Sequence, residues 1–260
     1  MKVRLADVGR WLLGGLVFLA ALGLWELWAR HASTFGLPRM SEVLGTAMDV
    51  WPTRQFLSGV AASLTRLAAG LAIGVAVGVV VGLLMGSSRM ARRTLGPMTE
   101  LLRATPVIAI LPVAIALFGL GDAMNVSLIA FGVCFPVLVN TIDGVRAVPP
   151  EARDTASMLH VGPAERVFRI YLPSALPSIV AGLRIAISIG LVLVVISEFS
   201  GEGDGLGRYI WAEQTRFAVA EVWASILFLG LLGFLLNGLF LLAERRLLAW
   251  HYGAAGESAR

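Results

Sequence analysis

Lysine is almost missing from this chain: Lys2 is the only one in 260 residues. A phosphate-gripping G-x-x-x-x-G-K-[ST] loop needs a lysine that reaches the nucleotide, and no position after 2 supplies it, which excludes an NTPase of that kind. Cysteine is as scarce. Cys134 stands alone in an apolar run, so no intrachain disulfide can form. The three histidines, His31, His160 and His251, fall in widely separated segments and leave neither a metal set nor a catalytic triad. Charge is also thin: 15% of residues are Asp, Glu, Lys or Arg, against about 25% in an ordinary soluble domain. The sequence pI is near 10.0, but the arginines are scattered between apolar stretches rather than gathered with aromatics, which argues against a nucleic-acid partner.

What remains is apolar: 57% of the chain is hydrophobic. Six stretches approach the roughly 20 apolar residues that cross a bilayer, over 11–29, 60–86, 98–118, 124–140, 178–199 and 222–243. They predict an all-α integral membrane protein with six transmembrane helices in one domain over 1–260. Only GLGDAMN separates the third span from the fourth, so 98–140 reads as a tight helical hairpin. Thirteen lysines and arginines then fall on one side of the spans, among them Lys2, Arg4, Arg10, Arg153 and Arg260. Five fall on the other: Arg30, Arg39, Arg54, Arg208 and Arg216. Basic residues beside a span resist translocation, so both termini are expected in the cytoplasm. A cleaved signal peptide is the rival reading of the first span. No A-x-A site follows it, and Trp25 and Trp28 read as an interfacial aromatic belt, which favours a retained helix.

Smaller patterns refine this outline. Met40, Val43, Leu44, Ala47, Met48 and Trp51 share one helical face, predicting a short helix on the outer surface, either packed or docking. Gly70, Gly74, Gly78, Gly82 and Gly86 place a glycine at every fourth position of the second span. Such a row lets another helix approach closely, either for fixed packing within the chain or at a moving interface. Gly182, Ala186 and Gly190 form a weaker row in the fifth span. Glu198 ends an apolar run and is either solvated near the helix end or part of a pathway or gate. Arg103 is expected to reach headgroups or backbone, and Asn140 and Asn237 to cross-link helices.

Between the fourth and fifth spans, within 141–177, lies the polar insert DTASMLHVGPAERVFRIYLP, residues 154–173. A first helix is expected over 154–160. Gly162 interrupts it, and Pro163 suits the first position of a second helix with Glu165 in its first turn. Val167, Phe168 and Tyr171 would share the packed face, leaving Glu165, Arg166 and Arg169 outward.

The sequence resembles the permease subunits of bacterial ATP-binding-cassette importers, in the group that handles nitrate, sulfonates, taurine and related small solutes. That family carries a cytoplasmic E-A-A signature, a Gly six residues after the Glu, and I-x-L-P beginning ten residues after that Gly. Asp154, Thr155 and Ala156 occupy the E-A-A slots, His160 the Gly slot, and Ile170, Leu172 and Pro173 match the rest. Histidine has less backbone freedom than glycine, so the turn is expected to move to Gly162. The resemblance extends to WELWA, LLRATPVIAILPVAIALFGLG, LPSALPSIVAGLRIAISI, the GLG at 205–207, and ERRLL.

By that resemblance the insert is a coupling element, with Asp154, Thr155, Ala156, Ser157, His160, Gly162, Pro163, Arg166, Ile170, Leu172 and Pro173 as its residues. The implied partners are a pair of ABC ATPase subunits that hold ATP and Mg, a second copy of the permease, and an extracytoplasmic solute-binding protein. The chain itself would carry no cofactor and no metal, would not be an enzyme, and would sit in the lipid bilayer of the bacterial inner membrane. An ion-driven secondary transporter is the alternative. That class shows paired repeats with broken helices, and no clear repeat is visible here.

Overall fold

The computed structural model describes residues 5–32 and 36–248, with residues 5–13, 18 and 32 described by backbone alone. Lys2, Arg4, His251 and Arg260 lie outside the described residues. All regular structure among those described is helical. Eleven α-helices occur among the described residues: α1 (Leu5–Ala32), α2 (Met40–Val50), α3 (Arg54–Ser87), α4 (Arg89–Ala104), α5 (Leu111–Phe118), α6 (Asp122–Arg146), α7 (Pro150–Met158), α8 (Pro163–Arg166), α9 (Leu172–Ser200), α10 (Leu206–Thr215) and α11 (Val219–Leu247). A 3-10 turn over Val107–Ile110 precedes α5, and a π-helical turn over Val167–Tyr171 joins α8 to α9. Among the described residues, four stretches are long and apolar enough to cross a bilayer: α3, α6, Pro163–Ser200 and α11. The count is five if α4 and the 107–118 segment form one broken span.

That break corrects the expected third span. Residues 98–118 are not one helix: α4 stops at Ala104, and the chain bends by 95° before 107–118. Pro106 explains the stop, because it disfavours helical geometry at Thr105, which is extended (φ −77°, ψ 124°). At the other end of α4, the Ser88 hydroxyl accepts the Ala91 N–H at 3.2 Å, an N-cap. No side chain of α4 is buried.

The chain divides into two compact units, one drawn from Met1–Leu57 and Tyr209–Gly230, the other from Ser58–Arg208 and Leu231–Arg260. In the first, Met40, Val43 and Ala47 of α2 pack with Ala224, flanked by Trp25, Trp51 and Trp223. Burying each of the larger side chains is worth roughly 1.5–3 kcal/mol. Leu44 and Met48, predicted on the same face, are instead 44% and 76% exposed. The face is narrower than the sequence implied. Trp51 Nε1 donates to the Ala224 carbonyl at 3.2 Å and Trp25 Nε1 to that of Pro38 at 3.1 Å, so the two indoles are anchored at their polar tips.

In the second unit the glycine row of α3 faces α6. A Cβ on Gly70 would lie 2.5 Å from Ile129, on Gly78 2.7 Å from the Cys134 carbonyl, on Gly82 2.6 Å from Thr141, and on Gly86 2.7 Å from Val145. One on Gly74 would strike Val133. At each of these positions a side chain would collide with α6, either with its backbone, as at Gly74 and Gly78, or with its packed side chains, as at Gly70 and Gly86, and the approach is internal to one chain. The second row does likewise: Gly182 meets Asn140 and the Pro136 carbonyl on α6, and Gly190 meets Leu67 on α3. Leu67, Ile129, Val133, Val137, Ala186, Leu193 and Val194 form the core between α3, α6 and α9. Asn140 does not cross-link helices; its Nδ2 donates to Pro136 of its own helix at 2.8 Å.

Candidate functional site

The polar insert is shorter than 141–177, because α6 runs on to Arg146 and α9 begins at Leu172. Its first helix starts earlier than expected. Pro150 takes the first helical position of α7, where a missing N–H costs nothing. The helix ends in a paired turn: the His160 N–H donates to Ser157 O at 3.1 Å and the Val161 N–H to Ala156 O at 3.0 Å. This is the Schellman pattern, and the residue at its left-handed position is His160, with φ 51°. The expectation that Gly162 makes the turn is therefore corrected. Gly162 is extended (φ −64°, ψ 155°) and leads into α8, whose first residue is Pro163. The turn stays in the signature's glycine slot even though the slot holds histidine, at a backbone cost of roughly 1–2 kcal/mol.

Two arginines brace the insert. Arg166 was expected to point outward; instead its Nε donates to Val161 O at 2.8 Å and Nη1 to Ser157 Oγ at 3.2 Å, tying α8 back to the end of α7. Arg153, which in the sequence counts only toward the charge asymmetry, reaches the last carbonyls of α6, Val145 at 2.8 Å and Arg146 at 3.1 Å, and sits over the Tyr171 ring. Helix C-termini favour such cations. Ala156 is buried, and Val167, Tyr171 and Leu172 pack on Leu83, Val145, Ala175 and Ile179. Phe168 does not join them and is 68% exposed. Asp154, Thr155, Ser157, His160, Gly162, Pro163 and Pro173 are exposed and Ile170 is half-buried. Met158 and Leu159 complete an exposed apolar edge on α7.

At the far end of α9 the structure assembles a second cluster. Glu198 is not solvated: it is 1% exposed. The Ser63 hydroxyl donates to its carboxylate at 2.8 Å, Arg66 Nη1 donates at 2.7 Å, and the Gly207 N–H donates at 2.8 Å. Ser63 Oγ in turn accepts the Leu206 N–H at 2.8 Å. Arg66 extends the cluster to Asp122 at the start of α6 (2.6 Å) and to the Asp204 carbonyl (2.6 Å). A Cβ on Gly205 would fall 2.5 Å from the Glu198 carboxyl carbon, and one on Gly207 would strike the Val195 carbonyl. The GLG at 205–207 is thus the mould around a buried carboxylate. Its two glycines, so close to an acidic residue at a helix end, were the available signal; Ser63 and Arg66 gave none. Arg103 pairs with Glu100 at 2.7 Å on an exposed face.

No group of three or more His, Cys, Asp or Glu among the described residues is arranged to hold a metal ion. Residues 74–249 match the family described as binding-protein-dependent transport system inner membrane component. The chain is 32% identical over 220 residues to the taurine transport system permease protein TauC of Escherichia coli, covering 83% of this chain and 80% of that one. It is 32% identical over 231 residues to the nitrate import permease protein NrtB of Leptolyngbya laminosa, covering 86% and 83%. In fold it is similar to the inward-facing MetNI methionine ABC transporter, with a TM-score of 0.66 at 20% identity over 75% of this chain and 95% of that one. It is also similar to a bacterial importer of alginate, with a TM-score of 0.65 at 13% identity over 93% and 98%. Apolar helices able to cross a bilayer, a braced polar insert between two of them, and a family match over most of the chain agree: this multi-pass membrane protein belongs to the binding-protein-dependent transport system inner membrane components.

Proposed function

We propose that the chain is the membrane-spanning subunit of an ABC importer that carries a small solute, of the nitrate, sulfonate or taurine kind, into the cytoplasm by alternating access. ATP and Mg would be held by a separate pair of ATPase subunits, and an extracytoplasmic binding protein would deliver the solute. Two copies of the chain would enclose the path. The relatives named for taurine and nitrate support the solute class.

The observation that carries the reading is the geometry of α7. Its buried side is fixed to α6 through Arg153 and to α8 through Arg166, while Asp154, Thr155, Met158 and Leu159 stay exposed. A partner that pushes on α7 would therefore move α6 and α9 with it. Glu198, saturated with donors and shut from solvent, is better suited to holding the 201–207 loop than to lining a path. A photo-reactive amino acid at Met158, activated in native membranes, tests the docking. It is expected to capture an ABC ATPase chain; capture of lipid alone, with ATPase present, refutes docking through α7 and favours an ion-driven carrier.

A further inference from the structure

The loose seating of α4 leaves a cleft along α3 and α6 with two chemically different ends. One end is a cavity of about 390 Å³ walled by Val77, Leu95, Leu102, Phe131 and Cys134. Its lining is hydrocarbon, aromatic or sulfur apart from Thr99. The other end is a cavity of about 230 Å³ whose wall carries Arg92, Arg103 and Arg146. The two share Thr99, Phe135 and Leu138 in their walls, so they adjoin end to end.

The charges at the polar end do not cancel. Glu100 is engaged by Arg103 at 2.7 Å. Asp143 is the remaining carboxylate on the wall, against the guanidinium groups of Arg92 and Arg146, neither of which forms an ion pair within 4.0 Å among the described residues. A Cβ on Gly96, on the α4 wall, would meet nothing within 4 Å, so the space there is open. Hydrocarbon at one end and surplus guanidinium at the other match an amphiphile with an oxyanion head, since guanidinium binds phosphate oxygens in a forked geometry. The apolar end is also too dry to hold ordered water, which needs two to four polar partners.

We infer that this cleft binds an anionic phospholipid of the surrounding bilayer, one acyl chain between α4 and α6 and the phosphate at Arg92 and Arg146. The arginine asymmetry of the sequence puts that end on the cytoplasmic side, where anionic headgroups attract basic residues. A bound lipid would fill the cleft and hold α4, which buries none of its own side chains.

The test uses the full chain in nanodiscs made from equal parts phosphatidylglycerol and phosphatidylcholine, with retained lipid read by native mass spectrometry. Phosphatidylglycerol is expected to be enriched roughly ten- to thirtyfold over phosphatidylcholine, as two arginines near a headgroup imply. The enrichment should vanish in Arg92→Gln/Arg146→Gln, whose partly or fully exposed positions allow folding. Cys134 gives a second readout, because it is the only cysteine and lines the apolar end. Phosphatidylglycerol should slow its modification by N-ethylmaleimide, and the double variant should lose that protection. Equal retention of the two lipids, or unchanged labelling, overturns the proposal. Dodecanoate bound in pure phosphatidylcholine discs without phosphatidylglycerol enrichment also overturns it, by assigning the cleft to a free amphiphile.

Discussion

Replacing Glu198 by Gln keeps its shape and removes its charge. The carboxylate is 1% exposed and accepts from Ser63, Arg66 and Gly207. A Gln amide offers one acceptor oxygen where two are used, and its NH2 must face either the Gly207 N–H or the Ser63 and Arg66 donors. Arg66, itself 7% exposed, is left with Asp122, whose side chain is 76% exposed, as its charged partner. Breaking a buried pair on one side costs about 3–5 kcal/mol, which for a chain of this size is a fall in melting temperature of roughly 6–20 °C. The assay is thermal unfolding of the purified chain in detergent, followed by fluorescence-detected size exclusion. Arg103→Gln is the control, because its pair with Glu100 is exposed on both sides and worth about 0–1 kcal/mol. Arg66→Met combined with Glu198→Leu should recover part of the loss, since an apolar pair leaves no stranded charge. If Glu198→Gln melts within a degree or two of the parent, the cluster does not hold the 201–207 loop and the reasoning fails.

Three further outcomes are expected. His160→Gly should stabilise the insert by about 1 kcal/mol, because glycine takes a positive φ at no steric cost; slower trypsin cleavage within 150–171 reports it, and faster cleavage contradicts the turn. Gly78→Leu should abolish assembly, as even its Cβ would sit 2.7 Å from the Cys134 carbonyl, whereas Gly230→Leu, with nothing within 4 Å of its Cβ, should assemble normally; equal yields of the two variants would show that the α3–α6 contact is not tight. Asp154→Arg should insert normally yet lose tenfold or more of the binding-protein-stimulated ATP hydrolysis in the reconstituted importer, as a reversed charge facing a partner costs several kcal/mol; undiminished hydrolysis would remove Asp154 from the docking surface.

Periodic features were legible in the sequence and non-local ones were not. The glycine row was readable because a four-residue repeat reports a helix face directly. Its partner, α6, was not named by the pattern. The break in α4 was written in Pro106, but the hydropathy of 98–118 masked it. His160 misled because the rule that assigns left-handed turns to glycine is statistical, while the Ser157 and Ala156 carbonyls set the position of this one. Phe168 was placed inward on a regular helical wheel, and the π-helical turn at 167–171 shifts that wheel. The Glu198 cluster joins residues 135 positions apart. No local window contains both Ser63 and Glu198.

The steric fit of α3 against α6 has a mechanical corollary. Five successive turns of one helix are keyed into the other at distances that admit no slip, and Gly182, Gly190 and Gly144 key α9 to the same pair. Three helices so interlocked should answer a load as a single beam, and a displacement entering at Arg153 would arrive at Asp122 with little lost to bending. Compliance is then left to the loosely seated α4 and the corner at Thr105–Pro106, so strain sensors placed there, rather than along the glycine keys, should register the stroke.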